Sequence, residues 1–581
     1  MAEQLSLQHE RVDDIPLLIG LMQRLCFPQL LDHFLGNHGL HQGYSNGWLA
    51  TIWLAYILSA GDHRKSTVQE WAQSRRITLE RLTGQALRAV EFSDDRLGIV
   101  LRRFADTPAW EALEATLWAT ADAIYRVELT GIRLDSTTSY GYHTPVPGGL
   151  MQLGQSKDHR PDLAQLKVMA AAVEGTGHWV ACDVLAGQCA DDPLYTPLIA
   201  RVRKVLGRSG ILYTGDSKMA ALETRARVVA GGDDYLTILP RTGESRQEWE
   251  RAVEAVAAGA QPAALIWAEP GPAEQAPRLL GYGYEYERTL SAPIDGEMVA
   301  WRERVQVIRS LDLVKRQEAA LEKRLGEAEA ALRALTPPPK RGHRQIQEEA
   351  ALLQAVEGVL AHQRVTGLLA VTWEREERAT TRGVGRGRGG PHRPTHTTVK
   401  VRYVIRDVTR EAGAIEQEKY RLGWRLQVTS ATTARLSLGE SVRHYRQGPF
   451  MERGFHLIKD RPLGIQPFYV QREDQIVGLT RLLSLGLRLL TAMETEVRRC
   501  LAATGETLTG LVPGQPRQES AAPTALRLLK AFAAAEITLS RIEIGHQTHW
   551  HITPLPATLT RVLEHLGLAV SLYTRLAENS T

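Results

Sequence analysis

Cysteine is scarce in this chain, with four in 581 residues: Cys26, Cys182, Cys189 and Cys500. None has the paired spacing of a metal finger, and Cys182 and Cys189 lie in a mostly apolar segment. They read as reduced, buried thiols, which suits a cytosol and argues against a disulfide framework. Long apolar runs are equally wanting near the amino terminus. The most apolar stretch there, WLATIWLAYILSA at 48–60, has 13 residues, whereas a bilayer needs about 20. It is expected as a buried helix. The polar, acidic start MAEQLSLQHERVDD lacks the pattern of a secretory signal. Neither charge sign dominates, since the formal net charge is only +4. That value does not by itself point to nucleic acid, although a pI near 8.8 and local arginine clusters leave room for a basic surface.

What is present describes a soluble globular protein: 43% hydrophobic and 23% charged residues. The length exceeds one ordinary core and predicts roughly three to five structural units. In residues 12–36, Ile15, Leu18, Met22 and Leu25 recur at helical steps and predict one helix. Ser66 or Thr67 offers an N-cap for a later helix, and Ser93 offers one before Leu97, Val100, Leu101 and Phe104. Residues 1–120 therefore read as a helical domain. Strands are expected at 125–135, 166–173, 178–185, 211–215 and 235–239, with a helix at 192–206. Short connections make the first three an antiparallel meander. The strand–helix–strand order that follows predicts parallel additions to the same sheet.

Three acidic positions stand out. Asp135 closes the segment YRVELTGIRLD, Asp216 follows the apolar ILYTG, and Glu452 lies in YRQGPFMERGFHLIK at 445–459. On a helix, Glu452, Phe455, His456 and Lys459 fall at i, i+3, i+4 and i+7 and share a face. Singly, each acid is equally a turn former, a cap or part of a solvated surface. Together, carboxylates from three distant places suit hard divalent cations, and a two-metal site serves phosphoryl chemistry.

At these residues the chain resembles the DDE transposases of bacterial insertion sequences, in the branch with a tyrosine–arginine–glutamate–lysine signature. The matching pieces are LDSTT with Asp135, GQSKDHRPDLAQ at 154–165, YTGDSK with Asp216, and Tyr445, Glu452 and Lys459. RPLGIQPFYVQREDQIVGL at 461–479 is similar as well, and FSDDRLG at 92–98 more weakly so. The pattern departs at Gly448, where the family has arginine; Arg446 or Arg453 would substitute for it as a DNA contact. The resemblance implies an α/β fold with a ribonuclease-H-like mixed-sheet core. It implies catalysis by Asp135, Asp216 and Glu452 holding two Mg²⁺ ions, with Mn²⁺ as a substitute. Tyr445 and Lys459 would fix the phosphate near the cut. The partners implied are double-stranded DNA, as element ends and target, and a second copy of the chain in the DNA complex. Localisation would be the bacterial cytosol, at the nucleoid. The activity implied is cut-and-paste transposition, which often passes through a DNA hairpin in this branch. A catalytically silent DNA-binding descendant and a nuclease on the same core remain as alternatives.

On that reading residues 1–120 bind DNA ends, with a plain packing domain as the alternative. The core occupies 121–240 and 441–500, an insertion fills 241–440, and a small α+β segment covers 501–581. The insertion follows from the 236 positions between Asp216 and Glu452, more than a core connection needs. Strands are expected in it near 263–268 and 297–308, with GYGYEYER at 281–288 as an edge strand. Leu321, Leu325, Ala328, Leu332 and Leu335 predict a long helix. A second helix, with Ile346, Leu353, Val356 and Leu360 apolar, completes a helical hairpin. Lys157 and Arg160 are expected to hold phosphates. So are Arg386, Arg388 and Arg393, in a segment from 382 to 406 that carries seven basic residues and reads as a flexible Gly/Arg loop. Its GRGRGG is not a dinucleotide fingerprint, because a proline-containing loop follows it instead of a helix. Residues 424–430 predict a strand, 476–499 a Leu-rich helix and 501–524 a linker. His546, His549 and His551 raise a zinc site, but no acid or cysteine at ligand spacing supports one.

Overall fold

The computed structural model describes residues 5–269, 277–340, 345–385, 392, 394–545 and 547–578. Its chain divides into two compact units. The first comprises Met1–Ile238, Arg288–Glu303 and Thr429–Thr581, and the second Leu239–Glu287 and Arg304–Val428.

The first unit opens with strand β1 (Leu5–Arg11) and then the helices α1 (Ile15–Arg24), α2 (Phe27–Leu35), α3 (Asn46–Ala60), α4 (Lys65–Gln73), α5 (Arg76–Thr83), α6 (Asp94–Phe104) and α7 (Thr107–Tyr125). The single helix expected over 12–36 is two. Cys26 adopts a left-handed backbone with φ 55°, and Pro28 opens α2, so the chain turns where the apolar pattern runs on. Ser45 and Ser93 cap α3 and α6 by accepting from Trp48 N and Arg96 N, satisfying donors the helix leaves open. The cap expected at Ser66 or Thr67 does not form. Helix α4 begins at Lys65 after Arg64, and the Thr67 hydroxyl is drawn to Asp62 and Tyr56.

The core follows: β2 (Ile132–Gly141), β3 (Ala164–Val173), β4 (Trp179–Ala186), α8 (Tyr195–Leu206), β5 (Leu212–Thr214), α9 (Leu222–Ala230) and β6 (Asp234–Ile238). Their order across a mixed sheet is β4-β3-β2-β5-β6. The first three pair antiparallel, while β5 joins β2 and β6 joins β5 in parallel. This matches the meander and parallel additions read from the connections. Strand β2 starts later than expected. Arg126 caps α7 in the left-handed region, and residues 127–131 loop before Ile132, so Asp135 lies within β2 and not at its end.

The second unit holds α10 (Gly243–Ala257), β7 (Ala264–Trp267), β8 (Leu279–Ile294), β9 (Glu297–Ser310), α11 (Leu311–Ala334), α12 (Glu349–His362), β10 (Leu369–Gly383), β11 (Thr395–Arg410), α13 (Ala412–Arg421) and β12 (Trp424–Thr429). Residues 288–303 of β8 and β9, and Thr429, count with the first unit. The edge strand expected at 281–288 is interior, since β8 lies between β7 and β9. Gly281 and Gly283 allow it, because a Cβ at either would strike the β9 carbonyls of Arg309 or Val307. Helices α11 and α12 form the expected hairpin. They bury Leu321, Leu325, Leu332, Leu352 and Val356 with Leu369, Val408 and Ile415 of their own unit. Leu353, expected apolar-side, is 39% exposed and Leu352 takes its place. The flexible loop expected over 382–406 is largely strand: β10 and β11 form a two-stranded antiparallel ribbon.

The first unit then resumes with α14 (Leu438–Tyr445), α15 (Pro449–Lys459), α16 (Glu473–Thr504), α17 (Ala525–Ala534), β13 (Thr538–Ile544), β14 (Gln547–Ile552), α18 (Ala557–His565) and α19 (Ser571–Thr574). Helix α16 is long and apolar enough to cross a membrane by length and composition, but 83% of its apolar window is buried in the protein. It packs on α6 so closely that a Cβ at Gly478 would collide with the Leu101 carbonyl. Buried Glu114 ties α7 to this centre through ion pairs with Arg201 and Arg488. Helix α16 runs to Thr504, into the expected linker. Strand β1, not foreseen, pairs antiparallel with β13.

Asp14, 2% exposed, accepts from the Ser59 hydroxyl at 2.6 Å. Burial nevertheless pushes its carboxyl up to about 6 from 3.8. A raised carboxyl weakens the fold once ionised; the penalty is absent below the unfolded value, grows through the folded one and is complete above it. Asp14→Asn should therefore gain stability over wild type as pH rises from 4 to 6, and hold that gain above it. Thermal midpoints across pH 4–8 test this. A gain that shrinks with rising pH would refute it.

Candidate functional site

The parallel pairing of β2 with β5 builds the site. Ile132 lies opposite Tyr213 and Arg133 opposite Thr214. Two steps further in that register, Asp135 on β2 faces Asp216, just past the end of β5. Gly215 lets the chain leave the strand here: its N–H donates to Leu236 O at 3.2 Å, and a Cβ would strike Met219. The carboxylate of Asp216 then accepts from Lys218 N at 2.8 Å and from the Tyr195 hydroxyl at 2.7 Å.

The two aspartates feel each other. Burial holds the Asp135 carboxyl above its ordinary value, Lys157 and the Ser136 N–H pull it down, and Asp216 pushes it up. Lys157 Nζ stands 3.5 Å from Asp135 Oδ1 and donates to Ser136 Oγ at 2.9 Å and to the Ser136 carbonyl. Ser136 Oγ donates to Asp191 at 3.1 Å. Burial alone would raise the Asp191 carboxyl, but the Lys167 ammonium overcomes it and holds it low. Tyr195 is pushed well up by burial and by Asp216, Asp135 and Asp191, so its hydroxyl keeps its proton and donates. Ser136, Lys167, Asp191 and Tyr195 were not foreseen. CADDPLY at 189–195 offered a signal, with two acids and a tyrosine at the start of a helix.

Helices α14 and α15 bring the third acid's segment onto this sheet. Arg133, buried in β2, donates to the carbonyls of His444 at 3.0 Å and Tyr445 at 3.2 Å, and pairs with buried Glu174 at 2.9 Å. Its guanidinium stands 5.6 Å from the Tyr445 ring centre, and that ring packs against Leu212, Leu236, Ala431 and Leu436. Helix α15 seats Phe455 edge-on against Trp179 at 5.8 Å and buries Met451 and Ile458. Phe455 is thus a core residue, while Glu452 and His456 remain exposed. Lys459 Nζ donates to Asp158 Oδ1 at 2.6 Å. Arg453 turns to α16 and grips Glu494 with both terminal nitrogens. Gly448 has an ordinary right-handed backbone with φ −42°, and a Cβ there would lie 3.6 Å from Arg133 Nη1.

Among the described residues no three His, Cys, Asp or Glu side chains gather closely enough to hold a metal ion. The structure brings Asp135 and Asp216 together and leaves Glu452 outside that pair, facing solvent. Glu440, the acid nearest before Glu452 in the chain, closes a capping box with Ser437. Arg160 pairs with Asp162 at 2.8 Å and covers the Tyr140 ring, and Arg446 ends α14 half-buried. Arg386, Arg388, Arg393 and His546 lie outside the described residues. His549 and His551 project from β14 on one exposed face.

Arg133 is the joint between sheet and helix. Arg133→Met should lower stability by about 3 kcal/mol, since it strands buried Glu174 and two carbonyls. Amide exchange should quicken across 438–459. Unchanged exchange there would show that the Trp179–Phe455 contact and the Arg453–Glu494 pair hold α15 without Arg133.

No family model matches the chain, and no curated protein matches it. Among solved structures it is similar to one described as a piggyBac transposase synaptic complex with hairpin DNA. The identity is 10%, over 50% of this chain and 60% of that one, with a TM-score of 0.26. The chain thus spans less than two thirds of that transposase chain, and a likeness at this TM-score carries no argument about fold or function.

Proposed function

We propose that the protein is a metal-dependent DNA transposase of the DDE type on a ribonuclease-H-like core. It would cut the ends of an insertion sequence and join them to target DNA as a homodimer. The observation that carries this reading is the pair of Asp135, within β2, and Asp216, just past the end of the parallel strand β5. Two carboxylates so close, one of them held above its ordinary value partly by the other, are suited to a shared hard cation. Asp135, Asp216 and Glu452 would hold two Mg²⁺ ions, for which Mn²⁺ would substitute. When bound, the metals would activate the attacking oxygen and stabilise the leaving one.

The chain's own groups have separate tasks. Tyr195 fixes one oxygen of Asp216 by donation, leaving the other free. Lys157 neutralises Asp135 until a cation replaces it, and its ammonium can then turn to a phosphate. Tyr445 and Lys459 would border the scissile phosphate, with Arg160, Arg446 and Arg453 as further DNA contacts; Lys459 would first have to leave Asp158, and Arg453 to leave Glu494. Arg386, Arg388 and Arg393 would add backbone contacts. The solvent-facing Glu452 favours one other reading, a DNA-binding protein that does not cut.

Glu452→Gln keeps shape and removes one negative charge. Cleavage of the element's flanking DNA in Mg²⁺ should slow by roughly 10³-fold or more, and binding without metal should persist. Asp135→Asn and Asp216→Asn should match it, with the double variant hardly worse, because the site acts as a unit. Normal cleavage by Glu452→Gln would remove that residue from the reaction.

Gly448 permits a second test. Its negative φ accepts any side chain, so Gly448→Arg should fold normally. It should raise cleavage if a phosphate grip is missing there. Normal folding with unchanged cleavage would show that another cation already serves.

A further inference from the structure

We propose that the β10–β11 ribbon of the second unit is a nucleic-acid arm, with one face built to lie against duplex phosphates along the major groove. The inference rests on the DNA-processing reading only in naming DNA as the polyanion. Its support is the ribbon's own register. Directly opposed residues share a face, and alternate pairs share the same one. Arg382 opposes His396, Thr380 opposes Thr398, Arg378 opposes Lys400 and Glu376 opposes Arg402. The distal three pairs thus form one face of cations and hydroxyls. All six residues are exposed, and no acid occurs anywhere between 378 and 400.

The proximal part of the same face is arranged differently. There Arg402 donates to Glu376 at 2.8 Å and Arg406 to Glu374 at 2.8 Å. The carboxylates of β10 neutralise the arginines of β11 near the base of the ribbon and on this face stop at Glu376. Beyond that point Arg378 faces Lys400 directly. Like charges opposed across strands weaken a ribbon, so this face gains only when an outside anion lies on it. Spacing selects the anion. Successive same-face pairs are about 6.8 Å apart along a strand, so the cation-bearing pairs at Arg378 and Arg382 stand about 13.6 Å apart, comparable to two phosphate steps on a nucleic-acid backbone. A two-stranded ribbon also fits the major groove, which is about 12 Å wide. The threonines between the cationic pairs add hydroxyl donors for phosphate oxygens.

The test uses the full chain in EDTA, with a labelled random-sequence duplex and a salt series. In R378A/R382A/K400A the salt slope of log K should fall by roughly 0.9 for each phosphate the variant no longer neutralises. The weakening should be equal on unrelated sequences. R378K/R382K keeps the charges and should keep the slope. Thermal unfolding of the alanine variant should be unchanged or improved, because a repulsion is relieved. An unchanged slope overturns the proposal, as does binding to anionic vesicles with none to duplex. A chain that shows the ribbon-dependent slope but never cuts supports the arm while removing the transposase reading. Cutting with an unchanged slope does the reverse.

Discussion

The arrangement of the first unit's site follows from one strand register. Parallel pairing of β2 and β5 sets Asp135 beside Asp216, and burial, with the Asp216 charge adding to it, holds the Asp135 carboxyl above its ordinary value. Everything nearby moderates that effect. Lys157 approaches Asp135, the Tyr195 hydroxyl and a backbone N–H serve Asp216, and Lys167 compensates Asp191 one hydrogen bond away through Ser136. A plain structural pair of aspartates needs no such company. The side chains spend their interactions on keeping two acidic groups together.

The third acid differs because its helix is fixed from behind. Arg133 binds the end of α14, Trp179 receives Phe455, and Arg453 is committed to Glu494 on α16. These contacts leave α15 little freedom to roll. Glu452, one residue before Arg453, is turned about 100° from it, so the inward grip of Arg453 directs Glu452 outward. The ion pair between Arg453 and Glu494 therefore controls where the third carboxylate can reach. Arg453 read from the sequence as a DNA contact; its position makes it first a determinant of helix orientation.

Much of this was legible locally. The cap at Ser93, the buried helix at 48–60, the antiparallel meander and the parallel additions after it all follow from short-range chemistry. What escaped depends on distant partners or on backbone angles the side chains do not announce. Strand β1 exists because β13, more than 500 residues on, offers its edge. The break at Cys26 rests on a left-handed residue that is not glycine, and apolar spacing cannot see it. Asp135 and Asp216 were legible as acids, but the place of Asp135 inside β2 and the pairing of the two needed the register. Asp191 and Tyr195 escaped because a short turn and the start of α8 fold them back over β2 from outside the motif.

The basic segment at 382–406 shows how composition can mislead about conformation while being right about charge. Glycines and arginines suggested a flexible loop. Yet THTTVKVRYV on one side and Thr380–Thr381 on the other are rich in β-branched residues, which favour extended pairing over coil. A flexible loop can let its cations diverge at little cost. A ribbon cannot, because its register holds Arg378 opposite Lys400. Order therefore turns a loose excess of charge into a fixed repulsion at that pair, and an anion lying on the face relieves it.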